Sequence, residues 1–158
     1  MYIPKYFKVK YQSNGKTKSE LFPPEIINLG YTDTQLLLMF DDRILKAADR
    51  VREIYGSCYI NDYDAGLENC GFRLDKNGIG IKDADGAELS QHKFGRALDA
   101  HIVKIEKLNL DRKAKIEAYN IVRRDLMKLP EFKGFCFEDN VWWLHIDCRN
   151  SDVKIFNP

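Results

Sequence analysis

Residues 90–99 read SQHKFGRALD, and residues 143–147 read WLHID. The chain has 3 histidines, and these two segments contain two of them, His92 and His145. Imidazole and carboxylate groups both bind Zn²⁺, and three protein ligands leave a fourth position for water. Together with Asp99, the two histidines therefore predict an open metal site, which is the catalytic type rather than the structural type.

The two segments also predict strands. Residues 98–105 alternate and are rich in β-formers, and residues 135–137 and 142–146 are typical of a hairpin joined by residues 138–141. If these strands lie in one antiparallel sheet, Asp99 and His145 can project from the same face. Alternate strand residues share a face, so Trp143 and Asp147 would accompany His145, and His101 would accompany Asp99.

Two helices are expected to pack against this sheet. Residues 34–55 have apolar positions at helical spacing, with Asp33 or Thr34 as a cap and Gly56 just past the end. Residues 111–129 repeat the pattern and end before Pro130. The expected fold is α+β, with a small antiparallel sheet that carries the metal ligands.

The rest of the chain is expected to be less regular. The sequence of residues 1–30 predicts an N-terminal arm or hairpin with a turn at residues 13–16. Residues 57–61 are expected to form a short buried strand. Residues 62–90 are expected to form a long loop, and such loops are often functional. Residues 150–158 are expected to form a short polar tail. We expect one domain over residues 1–158 with its core at 34–149.

Composition excludes several classes of protein. The chain has 158 residues, of which 44% are hydrophobic and 31% charged, as in a globular domain. A net charge of +1 with interspersed signs does not support a nucleic-acid or membrane partner. No run is long enough for a membrane span, and residues 1–5 lack the apolar stretch of a signal peptide, so cytoplasmic synthesis is expected. The 4 cysteines form no Cys-x-x-Cys pair and are expected to be reduced thiols, although a disulfide stays open.

A signature in residues 90–99 resembles that of a known enzyme family. Ser90, His92, Gly95, Ala97 and Asp99 match the Ser-x-His-x-x-Gly-x-Ala-x-Asp pattern of the zinc D-alanyl-D-alanine peptidases. This family includes D-Ala-D-Ala carboxypeptidases, D-Ala-D-Ala dipeptidases of the vancomycin-resistance type and phage L-alanyl-D-glutamate endolysins.

Two further motifs extend the resemblance over residues 34–149. Trp143, His145 and Asp147 are similar to the family's Trp-x-His-x-Asp motif, and residues 71–73 are similar to its Gly-Tyr-Arg motif. The resemblance implies that His92, Asp99 and His145 bind Zn²⁺.

The resemblance also implies roles for three residues around the metal. Arg73 would hold a substrate carboxylate or stabilise the developing oxyanion, because its guanidinium is always charged and donates in a fork. A solvated loop arginine is the alternative. Ser90 would either orient substrate or hold the loop in place, and Asp147 would orient a ligand or an arginine.

One departure from the family concerns the catalytic base. Many relatives place a carboxylate three residues before the last histidine, where this chain has Trp142. Hydrolysis benefits from a carboxylate that accepts and then delivers a proton. Some relatives have a glutamate about seven residues before the histidine, so Glu138 is the candidate base, with a plain turn carboxylate as the alternative.

The expected function is zinc-dependent hydrolysis of peptidoglycan stem peptides by a phage or prophage protein. It would act on the cell wall after release, or as part of the virion. Two alternatives stay open: a catalytically inactive zinc-binding structural or recognition module of a phage particle, and an interaction domain without metal. A lone histidine is more often a hydrogen-bonded or surface residue than a ligand. His101 is therefore expected to be neither a fourth ligand nor a ligand-orienting residue.

Overall fold

The computed structural model describes residues 1–73, 90–149 and 155–156. Within these ranges the α-helices are Pro24–Ile27 (α1), Asp33–Leu37 (α2), Asp42–Tyr55 (α3), Val103–Glu106 (α4) and Arg112–Leu126 (α5). The strands are Tyr11–Ser13 (β1), Lys16–Lys18 (β2), Cys58–Tyr59 (β3), Ala97–Ile102 (β4), Cys136–Glu138 (β5), Leu144–Asp147 (β6) and Ile155–Phe156 (β7). Short 3-10 helices cover Tyr63–Ala65, Gln91–Phe94 and Pro130–Phe132. The expected α+β class is confirmed.

The main sheet has the strand order β3-β4-β6-β5-β7 in the described part of the chain. Strands β3 to β6 pair antiparallel, and Asp99 of β4 lies opposite His145 of β6. The predicted hairpin of β5 and β6 is confirmed. The edge strand β7 runs parallel to β5, in a segment that was expected to be only a polar tail. That expectation was wrong because the tail pairs its backbone with β5; residues 150–154 and 157–158 lie outside the described residues.

The two faces of this sheet differ in polarity. Alternate residues of β4, β5 and β6 point into the apolar core, namely Leu98, Ala100, Ile102, Phe137, Leu144 and Ile146. Helix α3 packs against β4 and contributes Ile44, Leu45, Ala48 and Val51 to the same core. The opposite face carries the intervening residues, among them Asp99, Glu138, His145 and Asp147. The core therefore positions the polar face.

The N-terminal hairpin is confirmed. Strands β1 and β2 pair antiparallel, and the two residues between them, Asn14 and Gly15, have φ values of 52° and 71°. Positive φ at both central positions suits the right-handed twist of a two-residue hairpin, and Asn-Gly tolerates it best. Pro24 then begins α1, where its missing N–H removes no helical hydrogen bond.

The prediction of a single helix over residues 34–55 was wrong. The structure divides it into α2 and α3, which are separated at residues 38–41. Thr32 caps α2 through a capping box with Gln35, so neither Asp33 nor Thr34 is the cap. Asp41 caps α3 by accepting from the amide of Arg43, and its own amide donates to the carbonyl of Gly95 at 2.9 Å. Apolar spacing continued across the break because both helices face the same core.

The strand predicted over residues 98–105 ends earlier, at Ile102. Its partner β3 has 2 residues and pairs only with His101 and Ile102, so the ladder has no further partner there. The amide of Val103 donates instead to the carbonyl of Ser57, and α4 begins. Part of the predicted loop 62–90 forms the 3-10 helix Tyr63–Ala65, and residues 74–89 lie outside the described residues.

Among the described residues, no helix combines the length and apolar character needed to cross a membrane. The 4 cysteines are present as thiols, as expected; Cys58, Cys136 and Cys148 are buried and Cys70 is half-buried.

Candidate metal centre

The structure brings His92, Asp99 and His145 together. One ligand atom from each lies within 4.8 Å of the others, and all three residues are buried or nearly so. The Nδ1 atom of His145 is 2.7 Å from Oδ1 of Asp99, and Nε2 of His92 is 3.4 Å from both Nδ1 of His145 and Oδ2 of Asp99. Three nitrogen and oxygen atoms therefore converge on one point, and this group could hold a metal ion.

Asp99 and His145 are placed by strand register. The two residues are opposite each other in the β4–β6 pair, and their side chains project from the polar face of the sheet. Opposite residues in an antiparallel pair hold their Cβ atoms about 4.5–5.5 Å apart, which brings short side chains together. The sheet therefore sets the distance between two of the three ligands.

His92 reaches the same point from the 3-10 helix Gln91–Phe94, which precedes β4. Gly95 ends this helix with a φ of 61°, and a Cβ atom at Gly95 would lie 1.9 Å from the carbonyl oxygen of Met39. Only glycine fits there, because the position needs both positive φ and a close backbone approach. The glycine of the motif therefore turns the chain between His92 and Asp99.

Hydrogen bonds select which nitrogen of each histidine points at the centre. Nδ1 of His92 donates to the carbonyl of Gly71 at 2.8 Å, which leaves Nε2 for a metal. Nε2 of His145 donates to Oδ2 of Asp147 at 3.2 Å, which leaves Nδ1. Metal-binding histidines characteristically donate their other N–H to a carbonyl or carboxylate in this way. The donor set thus fits a metal ion in atom type and in the nitrogen that each ring presents to the centre.

The charges of the centre are mutually stabilised. Burial alone would raise the pKa of Asp99, but the neighbouring rings of His92 and His145 hold it well below its usual range. Burial likewise opposes ionisation of Asp147, and its bonds with His145 and Arg149 lower its pKa below the ordinary value. Both carboxylates are therefore ionised at neutral pH, as ligation and its support require.

Glu138 lies beside the centre. It is the last residue of β5, on the polar face, and its Oε2 is 3.9 Å from Nδ1 of His145. The sequence placed Glu138 in the connection after the strand, whereas the structure places it in the strand itself. That position brings a half-buried carboxylate next to the candidate metal ligands.

Arg73 reaches the centre from the segment that precedes the undescribed residues. Its Nη2 is 3.6 Å from Oδ2 of Asp99, and its Nε donates to the carbonyl of Asn69 at 3.1 Å. Ser90 lies at the start of the 3-10 helix of His92, where its side chain caps no amide and its carbonyl accepts from Lys93. Arg73 is thus close to the ligands, and the backbone of Ser90 helps to shape the turn.

His101 and Trp142 lie on the polar face beyond the ligands. The His101 ring stacks on Tyr59 with centroids 5.0 Å apart, and the Trp142 ring is 5.6 Å from His101. The ligand group found among the described residues consists of His92, Asp99 and His145, without His101. The position that holds a carboxylate in many members of the resembled family here holds a ring that faces His101.

Several supporting residues were missed at the level of sequence. Arg149 pairs with Asp147 through Nε and Nη2, both within 2.9 Å of its carboxylate. The side-chain oxygen of Asn61 accepts from the amides of Cys70 and Gly71. The carbonyl of Cys70 in turn accepts from the backbone amide of Asp99 at 2.7 Å. Arg149 continues the alternation of His145 and Asp147, so strand period could have revealed it. No sequence signal indicates Asn61.

Comparisons of the chain with protein-family models, curated proteins and solved structures found no match. The metal centre itself is therefore the basis for assigning a function.

Proposed function

We propose that the chain is a zinc-dependent peptidase that hydrolyses peptide bonds in peptidoglycan stem peptides. The observation that carries the proposal is the convergence of His92, Asp99 and His145, with the outer nitrogen of each histidine ring hydrogen-bonded away from the centre. Two imidazoles and one carboxylate form a catalytic type of zinc site with an open position. The motif resemblance supplies the substrate class.

The residues around the centre suit hydrolysis. A zinc ion held by the three ligands would supply Lewis-acid activation of a water molecule and of the scissile carbonyl. The Glu138 carboxylate, 3.9 Å from Nδ1 of His145, would accept a proton from the attacking water and deliver it to the leaving amine. The Arg73 guanidinium, on the Asp99 side, holds negative charge of the substrate.

The first test combines metal content with hydrolysis. Protein purified without exposure to a chelator is expected to contain close to one equivalent of zinc by elemental analysis. The zinc-loaded protein is expected to release peptides from purified peptidoglycan. Zinc below about a tenth of an equivalent would contradict the metal site, since such ligand sets bind tightly. That result would favour an interaction domain without metal.

The second test concerns the base. Glu138→Gln removes the proton acceptor but keeps the shape, so zinc should stay bound while kcat falls by about 10²–10⁴-fold. Asp139→Asn is the matched control, because it removes the neighbouring carboxylate and should leave kcat within about twofold. Unchanged hydrolysis by Glu138→Gln would show that Glu138 is not the base.

One observation favours a second candidate function. Trp142 occupies the position of the carboxylate that many zinc D-alanyl-D-alanine peptidases have, and its ring packs on His101. The chain would then be a catalytically inactive zinc-binding module of a phage particle. Full zinc content without cleavage of either whole peptidoglycan or short stem peptides would support this candidate over the peptidase.

A further inference from the structure

The rings of Tyr59, His101 and Trp142 form a continuous aromatic wall on the polar face of the sheet. Tyr59 and His101 are opposite each other in the β3–β4 pair, and their rings stack with an interplanar angle of 9°. Trp142 lies against the same histidine with ring centroids 5.6 Å apart. His101 is 2% exposed, whereas Tyr59 and Trp142 are half-buried, so the two outer rings reach solvent.

This wall lies next to the metal ligands. His101 follows Asp99 by two residues in β4, so the two side chains share a face and are separated by about 7 Å along the strand. An extended peptide spans about 3.3–3.6 Å per residue. A peptide whose scissile bond lies at the metal therefore places a side chain one or two residues away against the wall.

Hydrogen bonds hold the backbone on both sides of Trp142, and a lysine contacts its ring. The buried guanidinium of Arg123 donates from Nη2 to the carbonyls of Val141 and Trp143, the residues on either side of Trp142. Its Nη1 donates to Asn120 at 2.5 Å. The Lys115 ammonium lies 5.4 Å from the centre of the Trp142 ring. Such fixing of a ring on rigid elements is what a selective contact needs, since a preformed wall loses little entropy on binding.

The wall suits an uncharged side chain. Lys115, which lies over the Trp142 ring, donates to Glu106 at 2.7 Å, so these two charges beside the rings already neutralise each other. Aromatic faces bind apolar groups through buried area, whereas a carboxylate would lose its hydration there without gaining a partner. A cation could contact the Trp142 ring, but Lys115 already lies over that ring.

We propose that Trp142 is a specificity-determining residue that contacts an apolar side chain next to the scissile bond. In a stem peptide that residue is alanine rather than the glutamate or the diamino acid. This inference rests on the proposed peptidase function. It assigns to Trp142 a role in choosing the bond, in place of the proton transfer that a carboxylate performs at that position in the resembled family.

The test measures kcat/KM for blocked peptides in which each alanine of the stem sequence is replaced in turn by glutamate or lysine. Wild-type protein should prefer alanine at one position by at least about 10-fold, the discrimination that apolar contacts typically give. Trp142→Ala should reduce this preference to within about threefold, and Trp142→Phe should keep most of it. Ile121→Ala, on the exposed surface of α5, is the control and should keep the full preference.

A binding measurement separates this inference from the peptidase proposal. The chain has 2 tryptophans, so Trp143→Phe leaves Trp142 as the sole tryptophan fluorophore. Titration of the zinc-loaded variant with a non-cleavable phosphinate analogue of D-Ala-D-Ala should change its emission saturably. Cleavage by Trp142→Ala with an unchanged alanine preference, or calorimetric binding of the analogue with unchanged emission, would overturn the role of Trp142 alone. If zinc-loaded wild-type protein neither cleaves the peptides nor binds the analogue, the peptidase proposal and this inference are both overturned.

Discussion

Asp99 and His145 face each other across the β4–β6 pair, and Oδ1 of Asp99 lies 2.7 Å from Nδ1 of His145. Two strands that are 46 residues apart in the chain thus present two ligand atoms at hydrogen-bond distance. His92 completes the group from the turn that leads into β4. Because the opposite face of both strands is packed in the core, this pair cannot shift register without burying its polar side chains.

Removal of any ligand should abolish stoichiometric metal binding. His92→Ala, Asp99→Ala and His145→Ala each leave two ligands, and we expect zinc affinity to fall by more than about 100-fold, beyond the loss seen when only a supporting residue is removed. His101→Gln is the matched control, since it changes a buried histidine on the same strand without removing a ligand. Competition with a chromogenic chelator measures the affinities. Full affinity in His145→Ala would exclude the assigned ligand set.

Asp147 should control affinity without touching the metal. It is fully buried, accepts from Nε2 of His145 and pairs with Arg149. Asp147→Asn weakens the orientation and basicity of the His145 ring, and we expect zinc affinity to fall by about 10–100-fold. The control is Asp125→Asn on the exposed side of α5, which should bind zinc as wild type does. Equal affinities for the two variants would contradict a supporting role for Asp147.

Zinc affinity should rise with pH. In protein stripped of metal, burial opposes protonation of His145, but hydrogen bonds with Asp147 and Asp99 outweigh it and raise the pKa from 6.5 to about 9. Zinc must displace this proton, so the apparent affinity should increase up to about 10-fold per pH unit below pH 9 and level off above it. Calorimetry in buffers of different ionisation enthalpy would detect the released proton. An affinity that does not change between pH 7 and 9 would contradict this coupling.

The same proton should stabilise the metal-free fold. A raised folded-state pKa contributes stability that is complete below pH 6.5, the ordinary value for histidine, and is lost as pH rises through about 9. The Tm of stripped protein should therefore fall over that window relative to the Tm of His145→Gln, which has no such group. Parallel Tm curves for the two proteins would contradict the prediction.

Gly95 should be irreplaceable for a steric reason. Alanine at this position would need a φ of 61° and would put its Cβ 1.9 Å from the carbonyl oxygen of Met39. We expect Gly95→Ala to lower the free energy of unfolding by roughly 2–5 kcal/mol, the sum of backbone strain and overpacking. Gly66→Ala is the control, because its φ is 72° but nothing lies within 4 Å, so it should lose only about 1–2 kcal/mol. Similar losses in thermal unfolding would mean that the chain moves to accommodate the new side chain.

Several features were predictable from sequence because they depend on local order. The alternation around His145 placed His145 and Asp147 on one strand face, and Asn14-Gly15 marked the hairpin turn. The grouping of His92, Asp99 and His145, which could hold a metal ion, was predictable from side-chain chemistry and from the motif that contains Gly95. These signals lie within single elements, where period and turn chemistry determine geometry.

The remaining features were decided by contacts between distant parts of the chain. At the break between α2 and α3, the amide of Asp41 donates to the carbonyl of distant Gly95. The end of β4 coincides with the end of its short partner β3. Likewise, Glu138 lies beside the candidate ligands only because β5 pairs with β6, and the tautomer of His92 depends on the carbonyl of Gly71. A sequence determines which groups can bind a metal, because ligand chemistry belongs to each residue. Only the tertiary structure decides which groups meet, because strand pairing and backbone hydrogen bonds join residues that the chain keeps far apart.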